Sequence, residues 1–376
     1  MKIVVIELAR QGGMAHYTFQ LCRGLTRAGA DVTLITREDY ELAMLCAPFR
    51  VEQSIGRLRP QQFGHRWRYA RAWRRIVRRV EALRPDVILV GQLRSAADYW
   101  PLLRLRRRGL LVTIHHEMEV KRGFLWRRMY ALFDRVFVHF ERNRIAFQKA
   151  FGVDTSRIGV IAHGNEEIFS ELADPTFTAG VLRKQLGIGA EEKVVLFFGN
   201  FADYKGIDIL LRAFPRVHER AGARLPVRLV IAGHPTRGFD LEKHITLAES
   251  LSSAVTWVPD YIPSEHVVAW MELASVIVFP YRDIPHAGAP HIAQTYGIPT
   301  VGTAVRALQD VIEHEVSGLL VPPEDVEALG DAITRVLDDT ALAARLGERL
   351  RADARGRFSW DEIGRGMVEE LRSGNA

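Results

Sequence analysis

The sequence has little cysteine and no long apolar segment, and both shortages restrict what the protein can be. Only Cys22 and Cys46 occur among its 376 residues, too few for a disulfide framework and not spaced as a metal pair. No apolar run reaches the roughly 20 residues of a membrane-spanning helix. The opening MKIVVIELARQGG has one lysine and five apolar residues before a turn, which predicts a first β-strand and not a secretory signal. We therefore expect a protein of the reducing cytoplasm.

Several common ligand-binding motifs are also missing. The chain has no P-loop and no His-Glu-x-x-His zinc motif. The pair Gly187 and Gly189 lacks the third glycine of a dinucleotide fingerprint, and it precedes a predicted strand where the fingerprint would follow one. The sequence therefore gives no support to these three kinds of site.

Length and charge both indicate two domains. A chain of 376 residues exceeds what one hydrophobic core usually supports. Residues 1–170 hold 30 basic and 16 acidic side chains, whereas residues 171–376 hold 21 basic and 29 acidic ones, within a net charge of +6. This asymmetry supports the division and indicates that the first half faces something anionic.

Short, β-branched strands alternate with helical patterns in both halves, which predicts α/β domains with doubly wound parallel sheets. In the first half we expect helices at 14–28, 66–84, 122–133 and 141–151, between strands at 2–6, 31–36, 86–90, 110–114, 135–139 and 158–161. In the second half we expect strands at 193–198, 228–233, 255–258, 275–279, 299–303 and 318–321.

These patterns place a first Rossmann-like domain at 1–170 and a second at 171–357, with the polar stretch 165–192 as the linker. An amphipathic helix within 358–373, capped by Ser359, is expected to pack back on the first domain. Two doubly wound domains bind ligands at the carboxyl ends of their strands, so the sequence predicts an active site in the cleft between them.

A small-residue loop in the second half has the composition of a phosphate cradle. The segment AGAP (287–290) follows a strand that stops at Pro280, and a helical run then ends at Gly297. Small residues before a helix leave backbone N–H groups uncovered at the positive end of the helix dipole. An ordinary strand–turn–helix connection is the alternative.

Taken together, these residues resemble the retaining GT-B glycosyltransferases of family 4, from Met1 to about Leu371. The loop GGMAH (12–16) is similar to the opening glycine loop of that family. The segment LFFGNFADYKGIDILLRAF (196–214) resembles its opening of the second domain. Three further segments complete the match: VTIHH (112–116), VIAHGNEEIF (160–169) and GLLVPPED (318–325).

The resemblance implies roles for particular residues. Lys205 is implied to hold the donor diphosphate, and His115 to act beside the reacting sugar. His16 and His116 are implied to lie on the acceptor side. For each of them the alternative is a structural role, such as a solvated loop lysine or a histidine packed at a strand end. The implied donor contacts, of diphosphate or sugar, also include Gly12, Gly13, Asn200, Asp283, His286, Ala287, Gly288, Ala289 and His291.

Two departures from the family pattern concern the donor site. Ile284 and Ile292 stand where many relatives carry two glutamates, and isoleucine cannot hydrogen-bond a hydroxyl group. The nearby Asp283, His286 and His291 are candidates to replace them. In addition, an asparagine at position 200 replaces an arginine of the relatives, so one diphosphate contact is lost unless another arginine supplies it.

The resemblance also implies the chemistry. We expect a nucleotide-sugar donor, a saccharide or lipid-linked acceptor, and a place in cell-surface polysaccharide or glycoconjugate synthesis. We expect no cofactor, no catalytic nucleophile and no metal, since no Asp-x-Asp pair ends a strand. Front-face transfer, in which the leaving phosphate helps to take the acceptor proton, is the usual interpretation in this family. Two alternatives stay open: a GT-B sugar-nucleotide epimerase, and a non-catalytic partner that keeps the fold.

The segment FGHRWRYARAWRRIVRRVEALRP (63–85) combines a helical apolar stripe with eight arginines. The stripe is expected to face the core through Trp67, Ala70, Trp73, Val77 and Val80. The arginines are either a solvated face or a docking face for an anionic membrane, which would place the protein at the inner face of the membrane. No nucleic-acid motif accompanies the charge, so nucleic acid is not an expected partner.

Overall fold

The computed structural model describes residues 1–57, 65–116, 123–221, 226–283 and 288–373. Its contacts divide the chain into two compact units. Unit 1 comprises Met1–Gly164 together with Arg357–Ala376, and unit 2 comprises Asn165–Gly356. Each is a separate α/β unit.

Unit 1 is built on a parallel sheet whose described strands follow the order β3-β2-β1-β4-β5-β6-β7. Most of these strands are buried along their length, as strands covered on both faces should be. The seven strands are β1 (Lys2–Ile6), β2 (Asp31–Arg37), β3 (Arg50–Ile55), β4 (Val87–Val90), β5 (Leu110–Ile114), β6 (Arg135–Val138) and β7 (Ile158–Val160).

The helices of unit 1 cover the two faces of this sheet. They are α1 (Gly13–Arg27), α2 (His65–Leu83), α3 (Tyr99–Leu105), α4 (Phe124–Tyr130), α5 (Glu141–Phe151) and, from the end of the chain, α15 (Trp360–Ser373). Side chains of α2, α3, α4 and α5 share one hydrophobic core with the sheet. The chain reverses its direction across the sheet at β1, so right-handed connections place α1 on the opposite face.

Helix α2 buries three of the five residues of the predicted stripe, Trp73, Val77 and Val80. Trp67 and Ala70 are exposed. The buried stripe begins at Tyr69 and continues through Ala72, Trp73, Ile76, Val77 and Val80. Asp98 helps to hold Tyr69 and Trp73 on the buried side, because its Oδ1 accepts hydrogen bonds from the Tyr69 hydroxyl (2.5 Å) and the Trp73 indole N–H (3.0 Å).

Helix α15 packs against α1 at a contact that leaves no room for side chains. A Cβ atom on Gly24 would lie 2.1 Å from the Trp360 carbonyl oxygen, and one on Gly364 would lie 2.2 Å from the Gly24 carbonyl carbon. The predicted cap is present, because Ser359 Oγ accepts from the Glu362 N–H at 3.3 Å. The last helix therefore belongs to the same core as the first.

Unit 2 has a second parallel sheet with the described order β10-β9-β8-β11-β12-β13. Its strands are β8 (Lys193–Phe198), β9 (Val227–Ala232), β10 (Val255–Val258), β11 (Val276–Phe279), β12 (Thr300–Thr303) and β13 (Leu319–Val321). Its helices are α6 (Ile168–Leu172), α7 (Ala179–Gln185), α8 (Ile207–Arg220), α9 (Leu241–Leu251), α10 (Val267–Leu273), α11 (Ala289–Tyr296), α12 (Arg306–Gln309), α13 (Val326–Asp338) and α14 (Thr340–Arg355).

The stretch 165–192, expected as a linker, instead contains α6 and α7. Thr178 caps α7 by accepting from the Val181 N–H. These helices have five and seven residues, too few to show a helical period in the sequence.

Candidate functional site

Lys205 is the most unusual charged side chain of unit 2. It ends the turn after β8 and is only 8% exposed. Its ammonium makes no hydrogen bond or ion pair within the described part of the chain. Burial alone lowers the pKa of this lysine to about 8. A buried cation without a partner is unfavourable unless a ligand supplies the opposite charge.

The surroundings of Lys205 are small and aromatic. Its Nζ lies 5.7 Å from the centre of the Tyr281 ring. A Cβ atom on Gly199 would lie 3.1 Å from Nζ and 3.9 Å from Cβ of Ala289, so the ammonium, Gly199 and the first turn of α11 meet at one place. Gly206, which follows the lysine at a left-handed φ of 64°, approaches the Pro280 carbonyl so closely that a Cβ atom would not fit. The positive end of the α11 dipole adds to the charge of the ammonium.

Helix α11 carries two buried polar residues on one side. Its Pro290 fits the first turn, and Gly297 ends it at a left-handed φ of 64°. His291 is 1% exposed, and Gln294, one helical turn later, is fully buried. Neither amide atom of Gln294 has a hydrogen-bond partner in the described residues. Sequence reasoning missed Gln294, because a glutamine in a helix carries no signal of its burial.

The remaining predicted donor residues are only partly described. Gly288 precedes α11 and accepts a hydrogen bond from the His291 N–H at 3.0 Å. Asn200 and Asp283 are exposed. The half-buried Ile292 lies within α11. Ile284, His286 and Ala287 lie outside the described residues.

Arg282 is close in sequence to this site but is already paired. Its guanidinium donates to Asp208 at 2.8 Å, to Glu324 at 3.0 Å and to the Asp203 carbonyl at 2.6 Å. Burial raises the pKa of Asp208, but the hydrogen bond and charge of this arginine are the main effects that hold the pKa below its usual value. Arg282 is therefore not available in this arrangement to replace the arginine that position 200 lacks.

The glycine loop of unit 1 differs from that of unit 2, because a carboxylate already occupies it. Glu41 Oε1 accepts from the Gly12 N–H at 2.7 Å and contacts His16 Nε2 at 2.6 Å. Burial raises the pKa of Glu41, but the hydrogen bonds from His16 and Gly12 outweigh it and hold the pKa below its usual value. Gly13 is exposed and begins α1.

His115 follows β5 and is held among aromatic rings. Its Nδ1 is 3.0 Å from the Tyr130 hydroxyl, and its ring packs against Phe147 and Phe151. Burial lowers its pKa to about 4, so the imidazole is neutral at pH 7. This arrangement suits a neutral hydrogen-bonding group with a fixed orientation, and it equally suits a packing role.

His116 belongs to a different, polar cluster at the carboxyl ends of β5, β6 and β7. Its Nδ1 lies 3.0 Å from Nε2 of His139. The ring of Tyr17, from α1, packs edge-on against His116 at 4.7 Å and beside His163 at 5.1 Å. Burial lowers the pKa of His163 to about 4. The hydroxyl of Tyr17 is buried with no hydrogen-bond partner in the described residues.

Sequence reasoning missed Tyr17, His139 and Glu7 as parts of this edge. Glu7, just after β1, is fully buried and accepts from the Ala9 N–H and the Thr18 hydroxyl. Burial raises its pKa. Their place at the carboxyl ends of strands could have identified Glu7 and His139, since each directly follows a predicted or observed strand.

Within the residues that the structure describes, no three histidine, cysteine or acidic side chains are grouped as metal ligands would be. No helix of the same residues is long and apolar enough to cross a membrane.

Two family models match the chain, one to each unit. The model described as Glycosyltransferase Family 4 matches residues 11–165, and the model described as Glycosyl transferases group 1 matches residues 192–339. The chain belongs to glycosyltransferase family 4. Its two parallel-sheet α/β units are those of the GT-B class.

Individual relatives of this family 4 chain show the same similarity. A D-inositol 3-phosphate glycosyltransferase of Acidothermus cellulolyticus is 29% identical over 96% of this chain and 85% of its own length. An uncharacterized glycosyltransferase of Methanocaldococcus jannaschii is 28% identical over 50% of this chain and 46% of its own. For several curated relatives the match spans about half their length. The Anabaena protein HepE, solved in complex with UDP and glucose, superimposes with a TM-score of 0.70, at 21% identity over 99% of this chain and 100% of HepE.

Proposed function

We propose that this family 4 protein transfers a sugar from a nucleotide-sugar to a saccharide or lipid-linked acceptor, with retention of anomeric configuration. The single observation that carries the proposal is the buried ammonium of Lys205, beside Gly199 and the first turn of α11, which has no hydrogen bond or ion pair among the described residues. A diphosphate would supply the negative charge that pairs with this ammonium. The UDP bound to HepE, a protein of the same fold, supports a nucleoside diphosphate as that ligand.

In the proposed reaction the bond between the anomeric carbon and the donor phosphate oxygen breaks while the acceptor oxygen bonds to the same carbon. Negative charge grows on the leaving diphosphate, where Lys205 and the dipole of α11 stabilise it. The acceptor proton passes to an oxygen of the departing phosphate, so no protein nucleophile is needed. His115, neutral and oriented by Tyr130, is the proposed contact beside the sugar.

The acceptor side is proposed to receive a hydroxyl-bearing sugar. The carboxylate of Glu41 already accepts the hydrogen bond from the Gly12 N–H. Its negative charge would repel an acceptor phosphate that approached this loop. The relatives named as D-inositol 3-phosphate glycosyltransferases carry a phosphorylated acceptor in their name. We propose that this chain differs from them in that respect.

Incubation with a panel of radiolabelled UDP-, GDP- and ADP-sugars, with and without membranes, tests the function. We expect one donor to transfer label to a saccharide or lipid product, and NMR of that product to show the donor's anomeric configuration. Conversion of the donor sugar to an isomer without transfer would instead indicate an epimerase. Donor binding without any conversion, in folded protein, would indicate a non-catalytic partner.

A further inference from the structure

Among the described residues of unit 1, three large aromatic side chains are exposed, each in the first turn of a helix. Trp67 in α2 is 76% exposed, Trp100 in α3 is 72% exposed and Phe124 in α4 is 75% exposed. Scattered single apolar residues on a surface need no explanation, but a group of them does. We call these three residues the aromatic rim.

The topology of the sheet brings the rim residues to one edge. Helices α2, α3 and α4 follow β3, β4 and β5 and share one core, so they cover the same face. Each runs back against its preceding parallel strand, and its first turn therefore lies at the carboxyl edge of the sheet. The hydrogen bond from Tyr69 to Asp98 ties the beginning of α2 to the segment just before α3. The same edge carries His116 with His139, His163 and Tyr17, which we call the His116 cluster.

The charge around the rim is of one sign. Arg71, Arg74, Arg75 and Arg78, which we call the arginine face, share the outer side of α2 with Trp67 and are exposed. They make no ion pair or hydrogen bond within the described residues. Arg128 lies over the Phe124 ring at 5.2 Å, and Arg104 of α3 is exposed.

Carboxylates are nearly absent from these helices. Among the residues of α2, α3 and α4 the one carboxylate is Glu81, near the opposite end of α2, where it pairs with Arg108 at 2.8 Å. The rim and the arginine face are thus a basic surface with aromatic side chains at its edge. Its field is not cancelled by neighbouring acidic groups on the same helices.

We propose that the aromatic rim and the arginine face dock unit 1 on the surface of an anionic lipid bilayer. Tryptophan and phenylalanine enter the boundary between headgroups and acyl chains, and the arginines are attracted to the anionic headgroups. No helix of the described residues needs to cross the bilayer for this mode of binding. Docking at the carboxyl edge brings the His116 cluster to the lipid surface. The inference goes beyond the proposed function, because binding to lipid requires no donor.

Vesicle sedimentation of the full chain tests the proposal, with phosphatidylcholine alone and with about one phosphatidylglycerol in three lipids. We expect binding to rise with the anionic lipid and to fall with added salt, because salt screens exposed charges within about 8–10 Å. Changing the arginine face to glutamine should weaken binding roughly tenfold or more. A matched control changes four exposed arginines of unit 2, Arg212, Arg237, Arg306 and Arg355, and should retain binding.

A second set of variants tests the rim. The triple change W67A/W100A/F124A should weaken binding roughly tenfold, whereas Tyr261→Ala, at an exposed aromatic of unit 2, should leave it unchanged. If the triple variant does not fold, W67F/W100F supplies the test. Brominated lipid should quench the fluorescence of the wild type and quench the double variant much less.

Several results would overturn the proposal. They are equal binding to neutral and anionic vesicles, an equal loss of binding in the unit 2 controls, and full binding by the triple variant. Preference for single-stranded RNA over anionic vesicles at the same salt concentration would also overturn it. UDP titration without lipid, performed on every variant, separates these results from a failure of the proposed donor site.

Discussion

The two glycine loops have similar sequences of small residues but opposite electrostatic surroundings. In unit 1 the Gly12 N–H already donates to the carboxylate of Glu41, so the loop contains its own anion. In unit 2 the ammonium of Lys205 is buried beside the start of α11 and makes no hydrogen bond or ion pair with the residues that the structure describes. Glycine before a helix is therefore not enough to identify a phosphate site. What distinguishes the two loops is the nearby charge: a carboxylate already bonded to the first loop, and a buried ammonium beside the second.

The largest effect is expected from Lys205→Ala. Loss of a charge-assisted contact should weaken the binding of the matching nucleoside diphosphate by about 1.5–3 kcal/mol. Calorimetric titration with UDP, GDP and ADP measures it, with Lys243→Ala, an exposed lysine of the same unit, as the control. Unchanged affinity in the Lys205 variant would remove the distinction between the loops.

The lowered pKa of Lys205 predicts a pH dependence of that binding. The ammonium begins to lose its proton near pH 8, and a bound diphosphate favours the protonated form. Affinity should therefore fall as the pH rises above about 8. The same titration on Lys205→Ala should be flat between pH 7 and 9.5, and a parallel fall in both proteins would point to another group.

A change at His115 should lower turnover and leave nucleotide affinity unchanged. His115 is proposed to contact the sugar, whereas Lys205 is proposed to bind the diphosphate. We expect His115→Ala to reduce kcat by roughly 100-fold and Tyr130→Phe, which keeps the aromatic packing, by a few fold. Steady-state kinetics and UDP calorimetry on both variants check this. Normal turnover in a folded His115 variant would make the residue a packing element.

Acid should destabilise the first unit through its buried histidines. The pKa values of His115 and His163 are about 4, below the ordinary 6.5. Between these pH values the unfolded chain therefore binds protons at these histidines that the native unit does not bind. The free energy of unfolding should therefore fall between pH 6.5 and 4, by about 3 kcal/mol for each histidine. Urea unfolding across this range should show a shallower fall in His163→Gln. The exposed His218 provides the matched control, and an equal effect of His218→Gln would contradict this assignment.

The smallest effect is expected from Glu41→Gln. This change removes the negative charge from the first glycine loop and should cost about 1 kcal/mol of stability without altering UDP affinity. The cost should be present above pH 4.5 and disappear as the pH falls through the lowered pKa of Glu41. Thermal unfolding measures it, with the exposed Glu38→Gln as the control. A loss of UDP affinity in Glu41→Gln would show that the first loop also serves the donor.

Much of the fold could be predicted because its strands are apolar and separated by long helices. The strand β3 was missed, since RVEQSI lies at the edge of the sheet and has only two apolar residues, Val51 and Ile55, with three polar residues between them. The orientation of α2 was predicted wrongly for Trp67, because a hydrogen bond to Asp98, 25 residues from Trp73, fixes the helix. Contacts between residues distant in sequence leave no local pattern.

The candidate site was predictable at the level of loops and not of charges. Lys205 followed from its position in a glycine-flanked turn. The sequence did not show that this lysine would be buried without an ion pair among the described residues. It also did not show that Glu41 would pair with Gly12, 29 residues away. The same limit applies to Arg282, whose ion pairs with Asp208 and Glu324 depend on the folded chain.

The close packing of α15 on α1 has a consequence for synthesis of the protein. Unit 2 is one continuous stretch, so it is complete as soon as residue 356 has left the ribosome. Unit 1 begins earlier but receives Trp360 and Gly364 only after all of unit 2 has been synthesised. During elongation the surface of α1 around Gly24 therefore stays uncovered. A nascent chain that stops before Trp360 therefore leaves this apolar surface exposed to chaperones.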